Sequence, residues 1–290
     1  MTRPTLSPIV AGTMNWGVWD KKLSASEMQH TMHICLENQI TTFDHADIYG
    51  NYTTEAEFGV AFKQSELARE QIQLISKCGI QYMAESRANT IKHYDYRKDY
   101  IIWSAEQSIK KLHCDYLDVF LLHRPSPLMQ ADEIAEAVEH LKSSGKIRSF
   151  GLSNFTNSQT ELIRQKTEID YNQIQFSATH FEAMLDGSLD YMQQHGIQPM
   201  AWKPLGVVFR ENTPQTQRLN ALLDSLTLKY EVGTDVLLLV WILRHPAGIL
   251  PVAGTVNIAR IQSLMKATTI SFELEDWFAI WTESMGNKVP

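Results

Sequence analysis

Four residue types stand where they could carry chemistry: an aspartate, a tyrosine, a lysine and a histidine. In Phe43-Asp44-His45-Ala46-Asp47-Ile48-Tyr49-Gly50, Asp44 closes a run that reads as a buried strand. A carboxylate there needs a partner, because an unpaired buried charge is strongly unfavourable. Lys77 ends the next predicted strand and is the natural counter-ion. Tyr49 lies in the loop beyond Asp44. An ordinary tyrosine has a pKa of about 10 and is a poor acid at neutral pH. An ammonium beside it is expected to lower that value, which would make Tyr49 a general acid. His123 follows an apolar run and precedes Arg124-Pro125. A strand-end histidine can orient a carbonyl oxygen through a neutral ring N–H, or relay a proton. Taken singly, each residue has a plainer alternative: a structural ion pair, a loop tyrosine, a core histidine. His33, His45, His93 and His113 have no such company and are read as structural. No HxH or HExxH spacing occurs and Lys77 would repel a cation, so no metal site is expected.

The elements that must position these residues alternate along the chain. Strands are expected over 8–11, 41–44, 72–77, 116–122, 147–152, 173–176, 198–202 and 249–252. A helix is expected over 24–38, where Ser24 and Glu27 have capping-box spacing. Another covers 98–112, with Ile101, Ile102, Ala105, Ile109 and Leu112 on one face. Further helices are expected over 54–63, 131–144 (stopped by Gly145), 157–165, 185–194, 214–244 and 257–265. The region 214–244 should break near Gly233, with Thr234 capping a second helix. Eight strand-then-helix units with no linker predict a parallel sheet closed into a (β/α)8 TIM barrel, one domain over residues 1–290. A doubly wound sheet would carry a Gly-rich turn near its first strand, and none is present. Barrel chemistry gathers at the C-terminal strand ends. Those ends carry Gly12-Thr13, Asp44, Lys77, His123, Ser153-Asn154, Gln173, Trp202-Lys203 and Gly254-Thr255.

Composition narrows the class. A 44% hydrophobic share of 290 residues is enough for a sizeable core. The formal charge is −7 and no basic stripe appears, so a nucleic-acid partner is not expected. Three cysteines, an odd number outside any CxxC pattern, suit a reducing compartment. The first eight residues lack the apolar run of a signal peptide. The longest apolar run, 236–242, falls far short of the roughly 20 residues that cross a bilayer. A cytoplasmic protein with no membrane partner is therefore expected.

The motifs in their order resemble the aldo-keto reductases over nearly the whole chain, most closely the bacterial oxidoreductases of that family. The matching stretches are Gly12-Thr13-Met14, Phe43-Asp44 with Asp47-Ile48-Tyr49-Gly50, Ser76-Lys77, Leu122-His123-Arg124-Pro125, Gly145-Lys146-Ile147-Arg148, Gly151-Leu152-Ser153-Asn154-Phe155, Asn172-Gln173, Ala201-Trp202 with Pro204-Leu205-Gly206, and Gly254-Thr255. The resemblance implies a barrel that binds NADPH without a Rossmann domain and reduces small-molecule carbonyl compounds. It implies a tetrad of Asp44, Tyr49, Lys77 and His123. Tyr49 would protonate the carbonyl oxygen, Lys77 held by Asp44 would tune it, and His123 would orient the substrate. It places Ser153, Asn154 and Gln173 on the nicotinamide carboxamide and Trp202 on its ring. Lys203, Leu205 and Gly206 would follow the pyrophosphate; Gly254, Thr255 and Arg260 would take the 2′-phosphate and adenine. Gly12, Thr13, Met14 and Asp44 would also border the cofactor, and Trp16, Tyr49 and His123 the substrate. Trp19, Tyr82, Phe181 and residues 207–209 are expected to complete a rather open, apolar pocket. Many members have a small hydroxyl residue in place of Lys203, a lysine in place of Asn257 and Glu-Asn in place of Ser263-Leu264. NADPH is expected, and use of NADH is left open. So is an NADPH-binding regulatory protein of the same fold with slow turnover. Substrate identity and oligomeric state are not legible.

Overall fold

Alternation along short parallel strands builds the molecule around one closed barrel. The computed structural model describes residues 3–289. The barrel strands are β1 (Val10–Gly12), β2 (Thr42–Asp44), β3 (Gln73–Cys78), β4 (Leu117–Leu122), β5 (Ile147–Ser153), β6 (Tyr171–Gln175), β7 (Gln198–Trp202) and β8 (Leu250–Ala253). Each is paired in parallel with its neighbours in sequence, and β8 closes on β1. Successive side chains on a strand point to opposite faces. Val10, Ile75, Val119, Leu121, Tyr171, Met200, Leu250 and Val252 form the cluster inside the barrel. A larger apolar layer lies between the strands and the surrounding helices.

Sequence signals account for the helices. α1 (Ala25–Glu37) starts with the expected capping box: the Ser24 hydroxyl accepts from Glu27 N at 3.3 Å, and Glu27 Oε2 accepts from Ser24 N at 2.8 Å. α2 is Thr54–Gln64, α3 Lys98–Lys111, α4 Ala131–Ser143, α5 Asn157–Arg164 and α6 Ser188–Gln194. The long region splits into α7 (Pro214–Tyr230) and α8 (Thr234–Leu243). Gly233 occupies the cap position there, and Thr234 is the first helical residue rather than the cap. α9 is Ile258–Leu264 and α10 Leu274–Met285.

Other differences have local causes. α6 begins three residues later than expected, because Glu182–Met184 forms a separate 3-10 turn. A two-stranded hairpin, Ile80–Gln81 with His93–Tyr94, follows β3. It was not anticipated, since two-residue strands carry no period to read; the twelve-residue α10 was not anticipated either. The closed end of the barrel is pinned by Arg69. Its guanidinium meets Asp118 Oδ2 at 2.6 Å and the carbonyls of Tyr116 and Ile72, each at 2.8 Å.

Candidate active site

The inward faces of the strands continue past the apolar interior, and two residues further on they become polar. Ile75 leads to Lys77, Leu121 to His123, Tyr171 to Gln173, and Met200 to Trp202. The same alternation that fills the barrel therefore collects these side chains above it.

Lys77 is fully buried and sits at the centre of this group. Its Nζ donates to both oxygens of Asp44, at 2.7 and 2.8 Å, and to the carbonyl of His45 at 2.7 Å. It also donates to the Tyr49 hydroxyl at 3.3 Å. Asp44 Oδ1 accepts a further bond from Gln173 Nε2 at 3.0 Å. The Asp44 carbonyl accepts from Thr13 N at 3.1 Å and Thr13 Oγ1 at 2.9 Å. The rings of Tyr49 and His123 stand edge to face, 6.0 Å apart.

Electrostatics set the protonation states. Burial pushes the Tyr49 phenol up; Lys77 pulls it down, and the net direction is upward. This corrects the expectation of a lowered value: the ammonium is largely answered by Asp44, and desolvation outweighs it. Burial also opposes the charge on Lys77, but Asp44 and Tyr49 overcome it and hold the lysine above its ordinary value. His123 is held well below the ordinary histidine range by burial and then by Lys77, Arg124 and Lys92. At neutral pH the group is thus a protonated phenol, an ammonium beside a carboxylate, and a neutral imidazole. Such a set can donate a proton from Tyr49 to a basic oxygen, stabilise the phenolate through Lys77, and offer a ring N–H from His123.

A second cluster adjoins it. Asn154 has φ +61. Its Nδ2 donates to Ser153 Oγ at 2.8 Å, and its Oδ1 accepts from Trp202 Nε1 at 2.8 Å. Ser153 Oγ donates to the Gln173 carbonyl at 3.0 Å. Trp202 is thereby fixed by one edge. Beyond it the chain turns sharply at Lys203 (φ +55) and Gly206 (φ +56). A Cβ at Gly206 would lie 2.0 Å from Thr179 Oγ1, so only glycine fits that turn. Lys203 is exposed and Leu205 half-buried.

Not every expected residue joins the site. Trp16, expected on the pocket wall, is 1% exposed and packs among Phe43 and Phe58 in the layer between strands and helices. That is a correction: burial of a large apolar ring against two phenylalanines outweighs any place at the mouth. Trp19, also expected on that wall, does stand near Tyr49. Its ring lies 6.0 Å from Tyr49 and 5.9 Å from Tyr82, and its Nε1 donates to Asn51 Oδ1 at 3.0 Å. Gly12 is buried, whereas Met14 is exposed. Thr255 is half-buried, while Gly254 and Arg260 are exposed. The bond from Gln173 to Asp44 was not foreseen; the only signal for it was the inward parity that Gln173 shares with Tyr171. Among the described residues no cluster of three or more His, Cys, Asp or Glu side chains could hold a metal ion. None of their helices is long and apolar enough to cross a membrane.

Comparison with known proteins places the chain in a family. The model of the Aldo/keto reductase family matches residues 8–282. The chain is 40% identical to an uncharacterized oxidoreductase, YcsN, of Bacillus subtilis, over 98% of this chain and 96% of that one. It is 34% identical to a 6-dehydroglucose reductase of Agrobacterium fabrum, over 94% of each. In fold it is similar to an aldo/keto reductase from Klebsiella pneumoniae solved with NADP and acetate, with a TM-score of 0.77 and 23% identity over 95% of this chain and 90% of that one. The chain belongs to the aldo/keto reductase family, and with it to the oxidoreductases.

Proposed function

We propose that this protein reduces aldehydes or ketones to alcohols with NADPH, on a single barrel domain. The observation that carries the proposal is Lys77: one ammonium touches both Asp44 oxygens and the Tyr49 hydroxyl inside a fully buried site. The residues present fit a nicotinamide cofactor. Trp202 offers an aromatic face braced by Asn154, and Ser153, Asn154 and Gln173 bring donors and acceptors suited to a carboxamide. Gly12, Thr13 and Met14 would border it, with the turn from Lys203 through Leu205 to Gly206 along its phosphates and Gly254, Thr255 and Arg260 at its adenosine end.

When bound, the cofactor supplies a hydride. The chain's own groups handle the oxygen. Tyr49 gives its proton to the carbonyl oxygen, and the resulting phenolate is stabilised by Lys77, which Asp44 keeps charged and in place. His123 stays neutral and donates a ring N–H to the same oxygen, opposing the charge that develops there. Tyr49 and His123 thus form the substrate site, with Trp19 rather than Trp16 as its aromatic wall. NADPH is favoured over NADH through Arg260, whose guanidinium can pair with a phosphate and stack on a purine. The three free cysteines suit the cytoplasm.

The test is oxidation of NADPH by the purified protein over a panel of aldehydes, repeated with NADH. Turnover that vanishes in Tyr49→Phe supports the assignment. Cofactor binding without turnover on any carbonyl compound would point to a regulatory protein instead.

A further inference from the structure

His123 continues directly into Arg124, whose backbone is clamped by one buried tyrosine. Tyr96 Oη accepts from Arg124 N at 3.1 Å and donates to the Arg124 carbonyl. Tyr96 reaches it across Gly79, which has φ +108; a Cβ there would fall 2.0 Å from the Tyr96 ring. Arg124 is half-buried, and its guanidinium lies 5.7 Å from the centre of the Trp202 ring. Among the described residues, no carboxylate pairs with it. Lys92, exposed on the hairpin that follows β3, is a second cation whose field reaches His123. Asp44 neutralises Lys77, but nothing comparable answers Arg124 or Lys92. The chain as a whole carries −7, so two cations without a carboxylate partner within electrostatic reach of His123 run against its overall charge.

A partly desolvated guanidinium held in place without a carboxylate partner is a ready site for a bound oxyanion, which would form charge-assisted hydrogen bonds to it. Resting on the reductase function above, we propose that the substrate is an aldehyde or ketone bearing a second, anionic oxygen group, carboxylate or phosphate, recognised by Arg124. The planar fork of Arg124 matches either group, and Lys92 adds attraction at longer range. Arg124 is on this account a specificity-determining residue, distinct from the four groups that act on the carbonyl oxygen.

The test compares matched substrates on the full chain with NADPH: succinic semialdehyde against butanal, 4-carboxybenzaldehyde against benzaldehyde, and glyceraldehyde 3-phosphate against glyceraldehyde. We expect at least one anionic member to exceed its neutral partner in kcat/KM by roughly ten- to a hundredfold, mostly through KM and less so at high salt. Which pair responds tells carboxylate from phosphate. Arg124→Gln should collapse that ratio towards one, Arg124→Lys should restore part of it, and Lys92→Gln should lower it by only about twofold. Ratios of one or below throughout the wild-type panel would overturn the proposal. So would a ratio that survives Arg124→Gln, or an Arg124→Gln variant whose main defect is weaker NADPH binding by calorimetry. Failure of the reductase function gives a different signature, namely no turnover on any member. In that case the product-type alcohols 4-hydroxybutanoate, 4-(hydroxymethyl)benzoate and glycerol 3-phosphate are titrated into NADP-loaded protein. Heat that depends on Arg124 sustains anion recognition, and its absence overturns it.

Discussion

The two ends of the candidate cleft are built by opposite rules. At the catalytic end, Lys77 and Asp44 are buried and bonded to each other, to a phenol, to a backbone carbonyl and to the amide of Gln173. At the end proposed to hold the adenosine, Gly254, Asn257 and Arg260 are exposed, and the side-chain bonds there serve the local turn and helix. Burial makes the first set interdependent, because each group there has lost water and depends on its partners. Exposure leaves the second set independent and cheap to change. On the proposed function the chemistry would thus be fixed by packing, while cofactor preference would rest on a few surface side chains.

The contrast is attacked most directly at Tyr49. Tyr49→Phe removes the acid but only one 3.3 Å bond from the fold. Turnover should fall about 10²- to 10⁴-fold, the usual contribution of a positioned acid, with melting temperature and NADPH affinity little changed. Near-normal turnover would mean that another group supplies the proton. Charge removal at the two ends should also give unequal stability losses. Asp44→Asn leaves a buried ammonium uncompensated and should destabilise by about 3–5 kcal/mol in denaturant unfolding. Arg260→Ala, at an exposed position, should stay within about 0.5 kcal/mol of wild type. Similar losses at both ends would break the comparison.

The same contrast explains what could be read from the sequence. Alternation and helical period show the eight strand-helix units, because burial on a regular element leaves a regular trace. Asp44, Lys77 and His123 were legible as polar residues ending apolar runs. Trp16 was misplaced because a tryptophan near a strand end looks the same whether it faces a pocket or the core; only its packing against Phe43 and Phe58 decides. The direction of the Tyr49 shift was misjudged because it is a balance between desolvation and a lysine already answered by Asp44, and neither magnitude is written in residue spacing. The clamp of Tyr96 on Arg124 was invisible, since it joins residues 28 positions apart through a hairpin with no periodic signature.

The pH dependence should also separate the ends. As the proposed acid Tyr49 would act protonated, and its pKa is raised above the ordinary value of about 10. Reduction at saturating substrate and cofactor should therefore hold through the neutral range and fall only as pH rises into the strongly alkaline region. His123 acts neutral and is held well below 6.5, so it should impose no loss near pH 6. A kcat that declines between pH 7 and 9, or an acid limb near 6.5, would contradict the protonation states assigned to the buried group.

The smallest effect belongs at Asn257. Its Oδ1 accepts from Arg260 N at 3.0 Å and caps α9, which gives this residue a role other than meeting a phosphate. Asn257→Lys removes the cap, at a cost of about 1 kcal/mol to the helix start. It also places a cation beside Arg260, where an exposed pair with a phosphate contributes at most about 1 kcal/mol. The preference for NADPH over NADH should therefore rise by no more than about fivefold, with a slight fall in melting temperature and unchanged turnover at saturating cofactor. Measured as the ratio of kcat/KM for the two cofactors, a larger gain would show that the adenosine end is more enclosed than its exposure indicates. A change in turnover at saturation would couple it to the tetrad, which the absence of any shared hydrogen bond between the two sets does not predict.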